Sequence, residues 1–311
     1  LSSFGMWISS TVLLLICCVS GVYSSANILE DCAFANEIIN SYYPGTRSAF
    51  IGSNTVDVID GSDIIIGDVI MIIQMQGGLI DGSNTADYGG TDGSGRGFLK
   101  SLSGMYEFNV VDDVTFQFGA TYTLSLDYPL ENDYTSSNEN TFQVIKVPLC
   151  NNALLIGDIL PIPWNGMIGG IVSILSFNIE VQGTVNVTAA GFRGGIDPYP
   201  QIIGSGGIRL NFVDNTGSLY SVPYSSNSFN ARKGEGFIGS PEYDGSISTY
   251  PNGDSARGAP GNAGGGGSTS DAGGGGGGNG GDGGIGGFFS VSPGGFGGVS
   301  CPFDSFNIFM G

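Results

Sequence analysis

With 311 residues the chain has room for two domains or one elongated one, and 41% apolar residues suffice for a sizeable core. Charged residues make up only 12%, the net charge is −19 with nine Lys and Arg, and histidine is absent. Such a chain repels phosphate backbones and anionic membranes, and it cannot build a Ser-His-Asp triad, a Cys-His dyad or a His-containing zinc site.

Glycine, at 56 residues, is well over double its usual share. Together with many Ser, Thr, Asn and Asp and abundant Ile, Val, Phe and Tyr, this describes an all-β protein of the secreted or cell-surface kind. Residues 1–26 read as a signal peptide. Met6 is the expected start, an apolar run extends from Trp7 to Val19, and Ser24-Ser25-Ala26 supplies small residues for cleavage. The run is too short to span a bilayer, so no membrane span is expected after cleavage. An uncleaved anchor is the alternative, because no Lys or Arg precedes the run. Of the five cysteines, Cys17 and Cys18 leave with the signal. Cys32, Cys150 and Cys301 then allow at most one bridge and one spare thiol, with each a buried free cysteine as the simpler expectation.

Residues 27–150 are expected to form a β-rich domain. The Val69–Gln76 run, bounded by glycine and rich in Ile, predicts a strand buried on both faces. A long polar loop follows over Gly77–Gly104. Period-two alternation over Tyr106–Phe118 and Tyr122–Tyr128 predicts two strands joined by a hairpin at Phe118–Thr121, where Gly119 can take positive φ. Thr141–Pro148 predicts a further strand.

Residues 151–252 carry the most regular pattern, with apolar residues at odd positions from Ile171 to Ala189 and polar ones at even positions from Ser176. The run exceeds an ordinary strand, so Gly183 is expected to divide it into two strands sharing one inward face, as in a rung of a β-solenoid. A sandwich hairpin remains the alternative. Beyond it, Ile208–Val213 reads as one more strand. Residues 253–311 form a glycine-rich segment with runs at Gly264–Gly267 and Gly273–Gly278. The Gly-Gly-Xaa spacing through Asn279, Asp282, Ile285 and Phe288 has the period of packed polyproline-II helices, and a flexible tail is the competing reading. The final residues carry no terminating pattern, and the chain is expected to continue past Gly311.

Several ordered segments resemble a known group. Asn40–Gly45, Gly67–Val69, Gln74–Gly77 and Phe142–Pro148 come first. Trp164–Gly166 before Gly169-Gly170, Gly191–Gly195, Lys233–Gly236 and Arg257–Gly267 follow. In this order they resemble the N-terminal region of large secreted bacterial adhesin-like, repeat-bearing surface proteins, often with C-terminal sorting domains. The resemblance implies export, extracellular surfaces or glycans as partners, and an adhesive or structural role without catalysis. It assigns no catalytic residues.

Other constellations are weaker. Gly277–Ile285 approaches a calcium-binding nonapeptide, but Gly284 stands where the apolar residue belongs, so calcium is the one cofactor left open and no other is expected. No Gly-Lys-Ser/Thr follows the glycine runs, which removes a P-loop. Asp112-Asp113, Glu131 with Asp133, and Asp57, Asp60, Asp63 and Asp68 read as acidic turns. The alternative function is a carbohydrate-active or carbohydrate-binding β-helix, for which Arg193, Arg232, Lys233 and Glu235 are the candidate glycan contacts.

Overall fold

The computed structural model describes residues 14–17, 25–137, 140–195, 220–221, 230–241, 250, 253–268, 272–288 and 293–301. The expected strand at Ile208–Val213 lies outside them. Among the described residues, every regular element longer than a single turn is a strand and none is an α-helix. The strands in chain order begin with β1 (Leu14–Cys17), β2 (Leu29–Ile38), β3 (Ser41–Pro44), β4 (Thr55–Ile59) and β5 (Val69–Gln76). The polar loop contributes the short β6 (Gly78–Leu79), β7 (Arg96–Gly97) and β8 (Lys100–Ser101). Then come β9 (Tyr106–Phe116), β10 (Thr121–Leu126), β11 (Thr141–Val147) and β12 (Leu149–Leu160). The last three are β13 (Val172–Val181), β14 (Thr184–Val185) and β15 (Ala259–Pro260).

The first sheet is antiparallel, with strand order β3-β11-β5-β9-β10-β4. It curls until its two edges meet: Gly45, just past β3, bridges Val58 of β4, and Thr46 N–H donates to the Asp57 carbonyl at 3.0 Å. Curling thereby covers both edges at that bridge. The strand predicted to be buried on both faces is β5, with all eight residues buried. Its even residues Ile70 and Ile72 join Val56, Val58, Leu124, Leu126, Phe142 and Val144 on the enclosed face. Its odd residues Val69, Met71, Ile73 and Met75 pack outward against Trp164, Ile171 and Leu175. The predicted hairpin between β9 and β10 turns at Gly119, whose φ is +65°, with Gln117 N–H donating to the Thr121 carbonyl.

The second sheet is parallel: β12 lies between β2 on one side and β13 and β14 on the other, while β1 runs along β13. It draws strands from both sides of residue 150, and the Cys32–Cys150 disulfide ties β2 to β12 across a sequence separation of 118. Cys301 is a buried free thiol, its pKa pushed up to about 12 by burial. β1 falls within the segment expected to be a signal peptide.

The Ile171–Ala189 run does divide at Gly183. A Cβ there would lie 2.0 Å from the Gly157 carbonyl oxygen, an approach that only glycine permits. Its single inward face is not kept, however. Val172 and Ile174 share a hydrophobic cluster with Ile179, Val185 and Val187, so even and odd residues serve the same core on either side of mid-strand. β13 and β14 pair with β12 at one constant offset, Leu149 opposite Leu175 and Asp158 opposite Thr184. That is one stacking step of consecutive parallel strands, and one step does not make a solenoid. All-β is the fold class.

Candidate recognition surfaces

Period three governs the described part of the glycine-rich segment. Gly264, Gly265 and Gly266 are consecutive, yet a Cβ on each would strike a different neighbour. The contacts are the Gly275 oxygen at 2.1 Å, the Arg257 oxygen at 1.9 Å and the Ala231 oxygen at 1.9 Å. Gly267 comes round again to the Gly264 side, against the Ala272 oxygen. Three residues per turn is the polyproline-II repeat, and none of the described glycines from 264 to 298 has positive φ.

Hydrogen bonds between segments step in threes as well. Gly273 and Gly276 donate to Gly287 and Gly284, and Gly275 and Gly278 donate to Gly265 and Asn262. Gly283 and Gly286 donate to Gly298 and Gly295, and Gly295 and Gly298 donate to Gly273 and Gly276. Residues 264–268, 272–278, 282–288 and 293–301 thus form a lattice of threefold helices bonded through main chain. The polyproline-II reading of the spacing is the one the structure adopts.

This lattice rests on the 77–104 loop and residues 230–240 rather than on the Ile171–Ala189 strands. β15 pairs with β7, and Gly261 N–H donates to the Gly97 carbonyl at 2.8 Å. Phe237, Ile238, Tyr250, Ala263 and Cys301 form a small core beneath it with Phe98 and Phe192. On its flank Phe296 stacks on Tyr220, and the Arg257 guanidinium lies 4.4 Å from the Phe296 ring centre.

The four basic and acidic residues predicted as glycan contacts do come together, but as framework. Arg193 clasps Glu235 with Nε and Nη2, while Glu235 N–H donates to the Arg193 carbonyl and Arg193 N–H donates to the Glu235 carboxylate. Arg232 and Glu235 are buried, and Lys233 is wholly so. Lys233 Nζ donates to the carbonyls of Tyr220, Ser255 and Ala256 at 2.7, 2.8 and 3.1 Å and lies over the Tyr88 ring. Burial pulls its pKa well down, opposed by the charge of Asp254. Three carbonyl acceptors match the three N–H donors of an ammonium, so Lys233 rivets the 220, 233 and 255 segments together. Only Arg193 of the four keeps an accessible side chain.

In the nonapeptide-like stretch, the Asp282 carboxylate is already engaged. It accepts from the Ser300 N–H at 2.7 Å and from Arg96 Nη2 at 2.7 Å, and these bonds hold its pKa below the ordinary range. The described residues contain no group of three or more Asp, Glu or Cys arranged to hold a metal ion. Nor is any described helix long and apolar enough to cross a membrane.

Two surfaces stand out for exposure. The outermost lattice segment, 282–288, turns Gly283 and Gly286 inward, where a Cβ would meet carbonyl oxygens at 2.1 Å, and turns Ile285 and Phe288 to solvent at 72% and 69% exposure. The second is a groove of about 580 Å³ at the end of the curled sheet, between the 47–53 loop and the β9–β10 hairpin. Sequence reasoning passed over this groove. Phe50-Ile51 and Phe118 stand beside the turn glycines Gly52 and Gly119, but so does the wholly buried Tyr88 beside Gly89, so their exposure could not be read from that placement.

No protein-family model and no curated protein matches this chain. Among solved structures, the tailspike of Acinetobacter baumannii bacteriophage AP22, solved in complex with A. baumannii capsular saccharide, aligns with 14% identity and a TM-score of 0.23. The alignment covers 51% of this chain and 28% of the tailspike, so the chain spans well under two thirds of that protein. A likeness at that level carries no argument about fold or ligand.

Proposed function

We propose that this is a non-enzymatic, secreted or cell-surface protein of the adhesin-like kind, in which a β-scaffold holds a glycine lattice out for recognition. The observation that supports this reading is the lattice itself. A linker would need no mutual main-chain bonding, whereas here the segments are hydrogen-bonded to one another and bolted to the scaffold through Lys233 and Arg96. Its outer helix then sets Asp282, Ile285 and Phe288 one turn apart on an open face. Exposed apolar side chains in a rigid frame lose little entropy on binding, which is what a display surface requires. The competing β-helix enzyme needs Arg232, Lys233 and Glu235 at a ligand, and all three are buried.

Binding of the purified full chain to bacterial envelopes and polysaccharide-coated beads tests the reading. The wild type should be retained, and Ile285→Asp with Phe288→Asp should lower retention at least ~10-fold without changing Tm, an effect of ~1.4 kcal/mol. Retention that is absent, or indifferent to the double substitution, contradicts it.

A further inference from the structure

The groove beside the β9–β10 hairpin combines apolar walls with a polar floor. Its walls are apolar and held open: Phe118 is 80% exposed, Ile51 65% and Phe50 57%. Its floor is a continuous polar relay on one face of the sheet. Gln117 Nε2 donates to Thr123 Oγ1 at 3.1 Å, Thr123 Oγ1 donates to Asp57 Oδ1 at 2.6 Å, and Arg47 Nη1 closes on Asp57 Oδ2 at 3.4 Å. Cross-strand pairing of Thr123 with Asp57 and with Thr115 fixes this order. Both walls are preformed. The 49–53 loop is pinned by Ala49 and Tyr134 exchanging both main-chain bonds, by Gly52 N–H to the Leu130 carbonyl, and by Ile51 N–H to Asp133 Oδ1 at 2.8 Å. The opposite wall is the hairpin turn that carries Phe118 on Gly119.

We infer that this groove binds a neutral oligosaccharide, the Phe118 and Phe50 rings stacking on the apolar faces of sugar rings while the relay hydrogen-bonds their hydroxyls. Lipid or aromatic ligands would leave Gln117, Thr123 and Asp57 with no hydroxyls to meet, and a row of side-chain donors and acceptors between exposed aromatics suits alternating apolar and hydroxylated ligand faces. Charge selects the class further. Arg47 and Asp57 cancel within the groove, and a net charge of −19 on the chain repels polyanionic glycans. The inference rests on the reading of a recognition protein and names a ligand class at a site remote from the lattice ridge.

The test uses the full chain titrated with neutral hexasaccharides (cellohexaose, mannohexaose and maltohexaose), an acidic hyaluronan hexasaccharide, and a proline-rich peptide, followed by calorimetry and by amide chemical shifts. The expected result is saturable binding of at least one neutral hexasaccharide, with shifts confined to residues 47–57 and 117–123. Phe118→Ala and Thr123→Val should each weaken it at least ~10-fold. Binding of none of the neutral sugars, of the acidic sugar or peptide alone, or with unchanged affinity in both variants overturns the inference. Envelope retention of Phe118→Ala is measured beside it. A wild type that is retained by envelopes but binds no sugar sinks the groove alone, whereas sugar binding kept while the Ile285/Phe288 ridge proves inert sinks the display reading of the lattice.

Discussion

The curled sheet and the glycine lattice solve the same problem with opposite materials. In the sheet, large side chains fill the interior: Ile70, Ile72, Leu124, Phe142 and Tyr134 are almost wholly buried. Stability there scales with apolar area removed from water, about 25 cal/mol per Å². In the lattice there is almost no side chain to remove. Close approach is the gain, because absent Cβ atoms let carbonyls and N–H groups of neighbouring segments meet at 2.8–3.0 Å, as between Gly275 and Gly265 or Gly298 and Gly276. Each such bond contributes a net of only ~1 kcal/mol, and each glycine ordered costs more backbone entropy than any other residue. A lattice of this kind cannot stand alone. That explains why it is anchored by a buried lysine, an arginine-carboxylate clasp and an aromatic stack.

The comparison can be broken at graded depths. Ile72→Ala empties the middle of the curled sheet and should cost about 2–5 kcal/mol in denaturant unfolding, the usual range for a large-to-small core change. Lys233→Met should come next at roughly 3 kcal/mol, since three buried carbonyls lose their donor. That loss should show as faster proteolysis within 253–301 while the sheet's amides stay protected. Gly266→Ala drives a Cβ into the Ala231 carbonyl at 1.9 Å and should cost about 1–3 kcal/mol by overpacking, although it adds one methyl group. Gly284→Ala is its control. Nothing lies within 4 Å of a Cβ there, so the substitution should be neutral or stabilise by about 0.4–1 kcal/mol through the unfolded chain. A similar cost at both positions would refute the threefold packing.

The smallest effect concerns acid. The Ser300 and Arg96 bonds hold the Asp282 carboxyl below its ordinary value of 3.8. Its stabilisation is therefore complete above that value and is lost as pH falls through the folded-state pKa. From about pH 5 to about pH 2 the wild-type Tm should fall more steeply than that of Asp282→Asn, which has no such carboxylate to protonate.

What is legible in the sequence follows the same divide. Alternation and Ile-rich runs located β5, β9, β10, β11 and the Gly119 hairpin within a few residues, but the one-sided face expected over Tyr106–Phe118 does not hold: Glu107 and Asn109 are buried, whereas Phe116 and Phe118 are exposed. The threefold spacing of the lattice was visible too. Its neighbours were not, since glycines carry no chemistry that names the surface they pack against, and the 77–104 loop rather than Ile171–Ala189 receives them. Arg193, Arg232, Lys233 and Glu235 lie close together in the fold. Their charge suggested a ligand, while their burial makes them rivets and leaves only Arg193 accessible. The Cys32–Cys150 bond was unreadable because parallel pairing of β2 with β12 joins segments far apart in the chain. The groove of Arg47, Asp57, Gln117, Phe118 and Thr123 likewise assembles from two separate stretches, 47–57 and 117–123.

Hydrogen exchange resolved to single amides over residues 261–301 tests the central claim most directly. A lattice predicts protection at Gly273, Gly275, Gly276, Gly278, Gly283, Gly286, Gly295 and Gly298, whose N–H groups are bonded across segments. Exchange of all these amides at random-coil rates, in a protein whose β5 and β11 amides remain protected, would contradict it and return the segment to a flexible tail.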